Sequence, residues 1–312
     1  MARVRYIGKR MAQMLFVLVV VGIFIFFLVR LIPGDPADIL MGEQATEADI
    51  QAYRVKMGLD QPLIIQFLKF AKGMLHLDFG TSLLYKVPCM EMVSEKIFVT
   101  IKLTAVSILF SLLLSIPLGF LAGLHQDKPV DQISRIVSLI AISMPGFWVG
   151  LLLMVLFCVN LGWFPAGGME EGFWGQLKSL ILPGLAQALM TAALLMRNLR
   201  NSVIEINTKD YIDFAKSKGL SQRRIQCAYI MKNSLVSTIT LLSTRIAFML
   251  GGSVVIESVF SLPGIGKLTA DAIFSRDYPM IQCLVFMFAL IVVVINFVND
   301  IIYSFIDPRI TL

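Results

Sequence analysis

The side chains best suited to chemistry in this chain are a few charged and amide groups placed inside strongly apolar runs. Arg245 and Glu257 share one run, and Asn296 and Asp300 lie in the last one. A charge at the centre of a bilayer costs about 3 kcal/mol or more, so such groups face a protein interior or a water-filled path. Arg245 and Glu257 are 12 residues apart, which is about 18 Å along a helix, so they cannot pair with each other.

Two interpretations of Arg245 fit this placement. Arg245 lines a solute pathway, or it forms a structural pair with Asp300, because both residues fall in the inner halves of their runs. Glu257 lies near the outer end of its run, which favours an intersubunit or gating contact over a ligand contact. Asn296 adds a polar group to the last run and is a further pathway candidate.

Motifs for catalysis or metal binding are absent from the sequence. There is no HExxH, GxSxG or Walker A pattern, and the spacing within Gly264–Thr269 does not fit GxxxxGK[ST]. The four cysteines form no CxxC pair, and the 17 methionines are typical of apolar packing. We therefore predict that the chain is not an enzyme, holds no metal or cofactor and binds no nucleic acid. Its net charge of +6 is attributed to membrane topology.

The composition predicts an all-α polytopic membrane protein. Of the 312 residues, 57% are hydrophobic and only 15% are charged, against about 25% charged in a soluble domain. Six runs approach the ~20 residues that cross a bilayer as helix. The first run exceeds the length of a signal-peptide core, so we interpret it as a retained span. The predicted spans are Met11–Val29, Phe98–Leu124, Ser134–Asn160, Leu180–Met196, Leu235–Phe260 and Ile281–Ile306.

The distribution of Lys and Arg predicts the topology. The N-terminal tail has four basic residues, and Arg197–Lys232 has eight against three acids, so the positive-inside rule places both in the cytoplasm. Both termini are then cytoplasmic, and Ile32–Ile97 lies outside. A capping box at Thr46–Asp49, a stop at Gly58 and a helix opening at Pro62 predict a small extracytoplasmic helical cap. We interpret this cap as a packed lid rather than a ligand-binding element.

Proline and glycine interrupt three of the predicted spans. Pro117 interrupts the second, Met144–Gly146 the third near its centre, and Gly251–Gly252 lies within the fifth. Lipid cannot replace the hydrogen bond that a proline removes, so such breaks are tolerated against protein or a water-filled path. A solute pathway and simple packing kinks both fit these breaks. Met144 and Pro145 are the pathway candidates among them.

The segment Asp210–Asn233, called the knob below, is a long and basic connection between apolar runs. Apolar residues at helical spacing predict two short helices in it. They are Tyr211, Phe214 and Ala215 in the first, and Ile225 and Tyr229 in the second. Gly219 lies between them, where a sharp bend needs a residue without a Cβ. Two helices at an angle would form a docking surface for a partner. Alternatively, the two helices lie on the membrane surface against anionic lipid, and the basic charge of the segment fits both interpretations.

The knob resembles the cytoplasmic "EAA" loop of permease subunits of binding-protein-dependent ABC importers. The resemblance rests on Asp213-Phe-Ala-x-x-x-Gly219 with Ile225 downstream. The whole chain is similar to the dipeptide/oligopeptide/nickel branch of that group. The motifs that carry this similarity are Arg30–Pro36, Gly58–Pro62, Asp78–Gly80, Ser143–Pro145, Val255–Gly266, Arg276–Pro279 and Asp307–Arg309. The chain departs from the family pattern at Phe214, where a small residue is usual, and at Tyr229, where many relatives have histidine.

The resemblance implies a type I ABC importer permease fold, with six transmembrane helices and a helical insertion after the first. It divides the chain into residues 1–96, a permease core of residues 97–306, and a cytoplasmic tail of residues 307–312. It also implies a location in the bacterial inner membrane and several partners. These are a homologous permease in a heterodimer, two ATPase subunits that bind ATP and Mg, and an extracytoplasmic solute-binding protein. The residues that it assigns to ATPase coupling are Tyr211, Asp213, Phe214, Ala215, Gly219, Arg223, Arg224, Ile225 and Tyr229.

The solute is predicted from local similarity. Leu75–Gly80, Ser143–Trp148 and Ala272–Cys283 are most similar to nickel-import permeases, which favours chelated nickel over a di- or oligopeptide. The spans hold no cluster of histidine and carboxylate suited to a bare divalent ion, which fits a complexed solute selected elsewhere. A self-sufficient channel or secondary transporter is a further alternative. It would require internal repeats or an ion relay of paired ionisable groups, and neither is evident.

Overall fold

The computed structural model describes residues 2–31, 46–58 and 60–306 of the chain, and the all-α prediction is confirmed. The helices are α1 Ala2–Leu31, α2 Glu47–Met57, α3 Leu63–Leu75, α4 Cys89–Leu124, α5 Pro129–Ser143, α6 Gly146–Leu153, α7 Gly172–Asn207, α8 Asp210–Ser217, α9 Gln222–Arg224, α10 Lys232–Val259, α11 Ile265–Phe274 and α12 Tyr278–Ile306. Two π-helical segments, Met154–Asn160 and Ile225–Met231, extend α6 and join α9 to α10.

Five helical stretches of the described chain are long and apolar enough to cross a membrane, and the bent pair α5–α6 gives a sixth if it counts as one span. This agrees with the six predicted spans. The helices are longer than predicted, since α4 begins at Cys89 and α7 runs from Gly172 to Asn207. The basic region after Met196 therefore begins as a continuation of α7, because nothing in Arg197–Asn207 breaks a helix.

Two of the three predicted interruptions are wrong, because the helical backbone continues through both positions. Pro117 lies inside the unbroken 36-residue helix α4, and α10 runs through Gly251 and Gly252. A single proline removes one hydrogen bond from a long helix, and the bonds on either side preserve it. Only Met144–Gly146 breaks a predicted span into two helices.

The chain divides into two compact units. The first contains residues 1–98 and 264–312, in which α1 packs against α12. Its core includes Ile25, Phe79, Met280 and Leu284, all buried. The second unit contains residues 99–263 and is built around α7. In the span window of α7, 72% of the residues are buried inside the protein, the largest share among the span candidates of the described chain.

The buried carboxylate of Asp277 organises the first unit. It accepts hydrogen bonds from the Ser82 hydroxyl at 2.5 Å and from the backbone N–H of Leu83 at 3.0 Å. It also caps the start of α12 by accepting from the N–H of Met280 at 3.2 Å. The segment that precedes α4 is thereby fixed to the start of α12. This packing supports the interpretation of the cap as a lid.

The helices predicted in the cap are present. Helix α2 follows Thr46 and ends before Gly58, whose φ of +69° suits glycine. Helix α3 begins at Leu63, directly after Pro62, which occupies the N-cap position with φ −52° and ψ 142°. The cap is therefore helical as expected within its described part.

Candidate functional site

The break between α5 and α6 is the sharpest irregularity in the second unit. Met144 is extended, with φ −91° and ψ 127°, and Pro145 has φ −62° and ψ 134°. The axes of the two helices differ by 100°. A residue before proline disfavours the α conformation, and proline itself cannot donate to the preceding turn, so the helix stops here and restarts at Gly146. Met144 is half-buried against the core of the unit, and Pro145 is exposed.

The start of α6 opens onto a cavity of about 360 Å³ that also borders the middle of α7 and α10. Its walls combine apolar side chains such as Phe147 and Met190 with the polar side chains of Gln187, Thr191 and Arg245. Gly146 of the break thus borders a partly polar cavity, which is compatible with the pathway interpretation. Met144 and Pro145 are not among the residues that line it, so their pathway role stays a prediction.

Arg245 contributes the only cationic side chain in the wall of this cavity. It is half-buried, and its guanidinium lies 5.4 Å from the centroid of the Phe248 ring, a cation–π contact. No described carboxylate of this unit forms an ion pair with Arg245. The side chain of Asp300 lies outside the described residues, so the predicted Arg245–Asp300 pair stays a prediction. The pathway alternative is the one that the cavity supports.

Gln187 lines the same cavity and was missed by the sequence reasoning. Its Nε2 donates a hydrogen bond to the backbone oxygen of Met249 at 2.5 Å, and its Oε1 accepts from Ser107 Oγ at 3.2 Å. The amide thus connects α7 to both α10 and α4 beside the cavity. Its signal in the sequence was a long amide side chain within the otherwise apolar run of α7.

Glu257 is buried inside the second unit, and this burial gives no support to the predicted intersubunit contact. Its carboxylate has no exposed surface and accepts a hydrogen bond from Thr100 Oγ1 at 2.6 Å. A side chain enclosed in this way cannot reach another subunit, because the neighbouring helix already satisfies it. A gating role stays a prediction. Asn296 belongs to the first unit and is exposed there, so its pathway role also stays a prediction.

The knob has the two predicted helical parts, but two of the three residues predicted for the buried face of the first helix are exposed. Ile212 and Ala215 are buried against Leu199 and Val203 of α7. Tyr211 and Phe214, predicted to share the apolar face with Ala215, are 42% and 61% exposed. Both sets of residues satisfy helical spacing, and the surface offered by α7 decides which set is buried. The aromatic side chains therefore point away from the protein.

The bend at Gly219 is confirmed. Its φ is +73°, and the hydrogen bonds Gly219 N–H to Lys216 O and Leu220 N–H to Ala215 O form a Schellman motif. A Cβ at this position would meet no atom within 4 Å, so the conformation alone requires glycine. The bend is a defined helix end rather than a flexible linker.

The second part of the knob is held to the same core. Ile225 is buried, and Tyr229 is half-buried and packs against this core, as the predicted spacing requires. Arg223 and Arg224 are exposed. In the first helix, Asp213 is also exposed and pairs with Lys216 at 2.9 Å. The knob thus presents aromatic and charged side chains outward from an apolar base.

Lys209 marks the junction of α7 with the knob. Its Nζ lies 2.9 Å from Glu205 Oε1. The hydrogen bond to this carboxylate raises the pKa of the Lys209 ammonium. Lys209 therefore stays charged at neutral pH.

Asp131 forms a clamp between α5 and α7 that the sequence reasoning also missed. The carboxylate is fully buried and accepts from Arg200 Nη2 at 2.7 Å and from Arg135 Nη2 at 2.7 Å. It also accepts from the backbone N–H of Asp127 at 2.9 Å. The sequence showed Arg200 only as one of many basic residues, because the partner lies 69 positions away. The clamp fixes the ends of both helices close to the knob.

Metal chemistry has no support among the described side chains. No group of three or more His, Cys, Asp or Glu residues in this part of the chain is arranged to hold a metal ion. The arrangement that the structure does provide is a broken helix, a partly polar cavity and a rigid outward-facing knob. Such a set of features is suited to the movement of a solute.

Comparisons with known proteins agree with this geometry. Over residues 115–312 the sequence matches the family described as "Binding-protein-dependent transport system inner membrane component", and over residues 3–113 it matches the N-terminal region of such components. The oligopeptide transport system permease protein AppB of Bacillus subtilis is 35% identical over 311 residues, 98% of each chain. The glutathione transport system permease protein GsiC of Salmonella paratyphi A is 34% identical over 305 residues, also 98% of each chain.

A solved structure supports the fold. The structure of the MetNI methionine ABC transporter in an inward facing conformation covers 70% of this chain and 97% of the matched chain, with a TM-score of 0.57 and 17% identity. At that identity the likeness concerns architecture only. The predicted ABC importer permease fold is confirmed. With family matches along nearly its whole length, the chain belongs to the binding-protein-dependent transport system inner membrane components, the permease subunits of ABC importers.

Proposed function

We propose that this permease carries short peptides or peptide-like solutes across the inner membrane. The two relatives described above are named for oligopeptide and glutathione transport. Neither name supports the nickel interpretation, which rested on short local similarities, and the peptide alternative fits better. Peptides and glutathione share a free carboxylate, and this is the group that the cavity would have to accept.

Arg245 is the observation that carries the peptide proposal. Its guanidinium lies in the cavity wall and forms no ion pair with a described carboxylate of its unit. A guanidinium offers paired donors that match a carboxylate. The same charge repels a bare divalent cation. Gln187 and Thr191 add polar groups of the kind that hydrogen-bond to a peptide backbone.

The energy for transport is proposed to come from partner subunits. ATP and Mg would bind to two ATPase subunits that contact the knob through Tyr211, Phe214 and the basic pair Arg223 and Arg224. The rigid Gly219 bend supports this role, because movement of an attached ATPase would be transmitted to α7 and α10 rather than absorbed. A second permease would complete the pathway, and an extracytoplasmic binding protein would deliver the solute. Both termini are placed in the cytoplasm in this proposal.

Substitution of Arg245 tests the peptide proposal. The complete transporter with Arg245→Gln in proteoliposomes should take up a labelled dipeptide about tenfold more slowly at subsaturating concentration, because a charge-assisted pair is lost. Arg245→Lys should recover part of the uptake rate, since lysine keeps the positive charge but lacks the paired N–H donors of the guanidinium group. Lys102→Gln is the matched control, because Lys102 is exposed and bonds to Gln176 at 2.8 Å away from the cavity. Uptake of nickel by a wild-type transporter that ignores peptides would overturn the proposal.

A further inference from the structure

A second cavity of about 360 Å³ lies between α5 and α7. It is lined by Arg135, Leu139, Arg197, Arg200 and Asn201. Three guanidinium groups surround this opening, and the carboxylates of Asp131 and Asp127 balance the charges of Arg200 and Arg135. Arg197 therefore contributes one positive charge that has no carboxylate partner among the described residues of its unit, and a bound anion would balance it.

The three arginines are not equally engaged. Arg200 and Arg135 are bonded to the buried Asp131, and Arg135 also pairs with Asp127 at 2.7 Å. Arg197 is exposed in the cavity wall and makes no ion pair with any described residue of its unit. All of its N–H donors are therefore available to an incoming oxyanion.

The position of this cavity connects it with the first one. Met190 and Leu194 of α7 line the cavity that contains Arg245. Arg197 and Asn201 continue the same helix face at spacings of three and four residues, nearer to the knob. Arg197 lies about 5 Å beyond Leu194 along the helix. The two cavities thus follow one another along a single face of α7.

We propose that Arg197, supported by Arg135, is a second carboxylate site, where the anionic end of the solute is held after it leaves the Arg245 cavity on the knob side. The inference rests on the proposed function, since it takes a peptide-like solute as the ligand. A phospholipid headgroup offers the same oxyanion chemistry. The solute is favoured because Arg197 shares a face of α7 with Met190 and Leu194, which line the first cavity.

Equilibrium binding to the complete transporter, with both permeases and both ATPases in nanodiscs, tests the site. The ligands are a labelled dipeptide and the same dipeptide with its carboxylate converted to an amide. The variants are Arg197→Gln and, as a matched control on the same helix, Lys178→Gln, since Lys178 is exposed and lines neither cavity. Each is measured in zwitterionic nanodiscs and in nanodiscs containing phosphatidylglycerol.

We expect Arg197→Gln to weaken binding of the free-acid dipeptide about tenfold in both lipids and to leave binding of the amide unchanged. Lys178→Gln should change neither. Equal effects on acid and amide, or no effect on either, would overturn the site. A loss confined to phosphatidylglycerol nanodiscs would assign the cavity to a lipid headgroup instead. If the wild-type transporter binds nickel and no peptide, the proposed peptide function is wrong. That result differs from one in which the wild type binds the dipeptide and Arg197→Gln binds it equally well, which would reject only the Arg197 site.

Discussion

Asp131 and Arg200 are joined by two hydrogen bonds, with 2.7 Å between Nη2 and Oδ2, across 69 positions of the chain. The carboxylate is fully buried, and the Arg200 side chain is 15% exposed. The pair joins the start of α5 to the part of α7 on which the knob rests. It therefore connects the bent pair α5–α6 to the base of the proposed coupling surface.

Asp131→Asn should destabilise this connection. The substitution leaves the guanidinium groups of Arg200 and Arg135 facing a neutral amide, which we expect to cost about 2–3 kcal/mol in the free energy of unfolding. The measurement is the midpoint of thermal unfolding in detergent. Asp127→Asn is the matched control, because the Asp127 side chain is 72% exposed and should cost under ~1 kcal/mol. Equal unfolding midpoints for the two variants would show that the hydrogen bonds of Asp131 add nothing to the free energy of unfolding.

Gly219 is predicted to control coupling through its backbone conformation. Gly219→Val introduces a β-branched residue at φ +73° and should strain the bend by about 1–3 kcal/mol. We expect ATP hydrolysis to continue while uptake per ATP falls severalfold. Gly219→Asn should behave much like the wild type, since asparagine tolerates this conformation. The ratio of solute uptake to ATP hydrolysis in proteoliposomes decides the question, and an unchanged ratio in Gly219→Val would contradict the rigid-knob model.

The outward aromatic residues of the knob provide a third prediction. Tyr211→Ala and Phe214→Ala should each weaken association with the ATPase subunits about tenfold, because exposed aromatic side chains commonly dominate an interface. Their thermal stability should stay close to that of the wild type, because neither side chain is part of the buried core. Co-purification and binding measurements with the ATPase subunits provide the readout.

Two further variants provide controls for this prediction. Ile212→Ala should destabilise the protein, because Ile212 is completely buried under the knob. Phe274→Ala should leave ATPase association intact, although Phe274 is 88% exposed, because Phe274 lies in α11 and is not part of the knob. If Phe274→Ala weakens association as much as Phe214→Ala does, the interface is not on the knob.

Some of these features could be predicted from the sequence, for local reasons. The Gly219 bend and the Met144–Pro145 break follow from the backbone preferences of single residues, so no knowledge of distant partners was required. The orientation of α8 could not be predicted in this way. Ile212 and Phe214 both occur at helical spacing relative to a neighbour, and the choice between them depends on the surface of α7. Pro117 was misjudged because a long helix can contain a proline without ending.

The long-range relationships were inaccessible for a different reason. The Asp131–Arg200 clamp and the hydrogen bond between Ser82 and Asp277 join residues that the sequence separates widely. Side chains of these types are common near helix ends. The sequence alone therefore gives no reason to pair these particular residues until the packing of the helices is known. The cavity around Arg245 likewise depends on three helices whose mutual arrangement the sequence does not display.

ATP-dependent uptake by the reconstituted transporter decides whether this chain is the permease of an ATP-driven peptide importer. Proteoliposomes containing this permease, its partner permease and the ATPase subunits are supplied with the binding protein, a labelled dipeptide and nickel, with ATP available to the ATPases. We expect that the dipeptide accumulates against its gradient, that nickel does not, and that omission of the ATPase subunits abolishes accumulation. Accumulation without the ATPase subunits, or accumulation of nickel in place of the peptide, would contradict it.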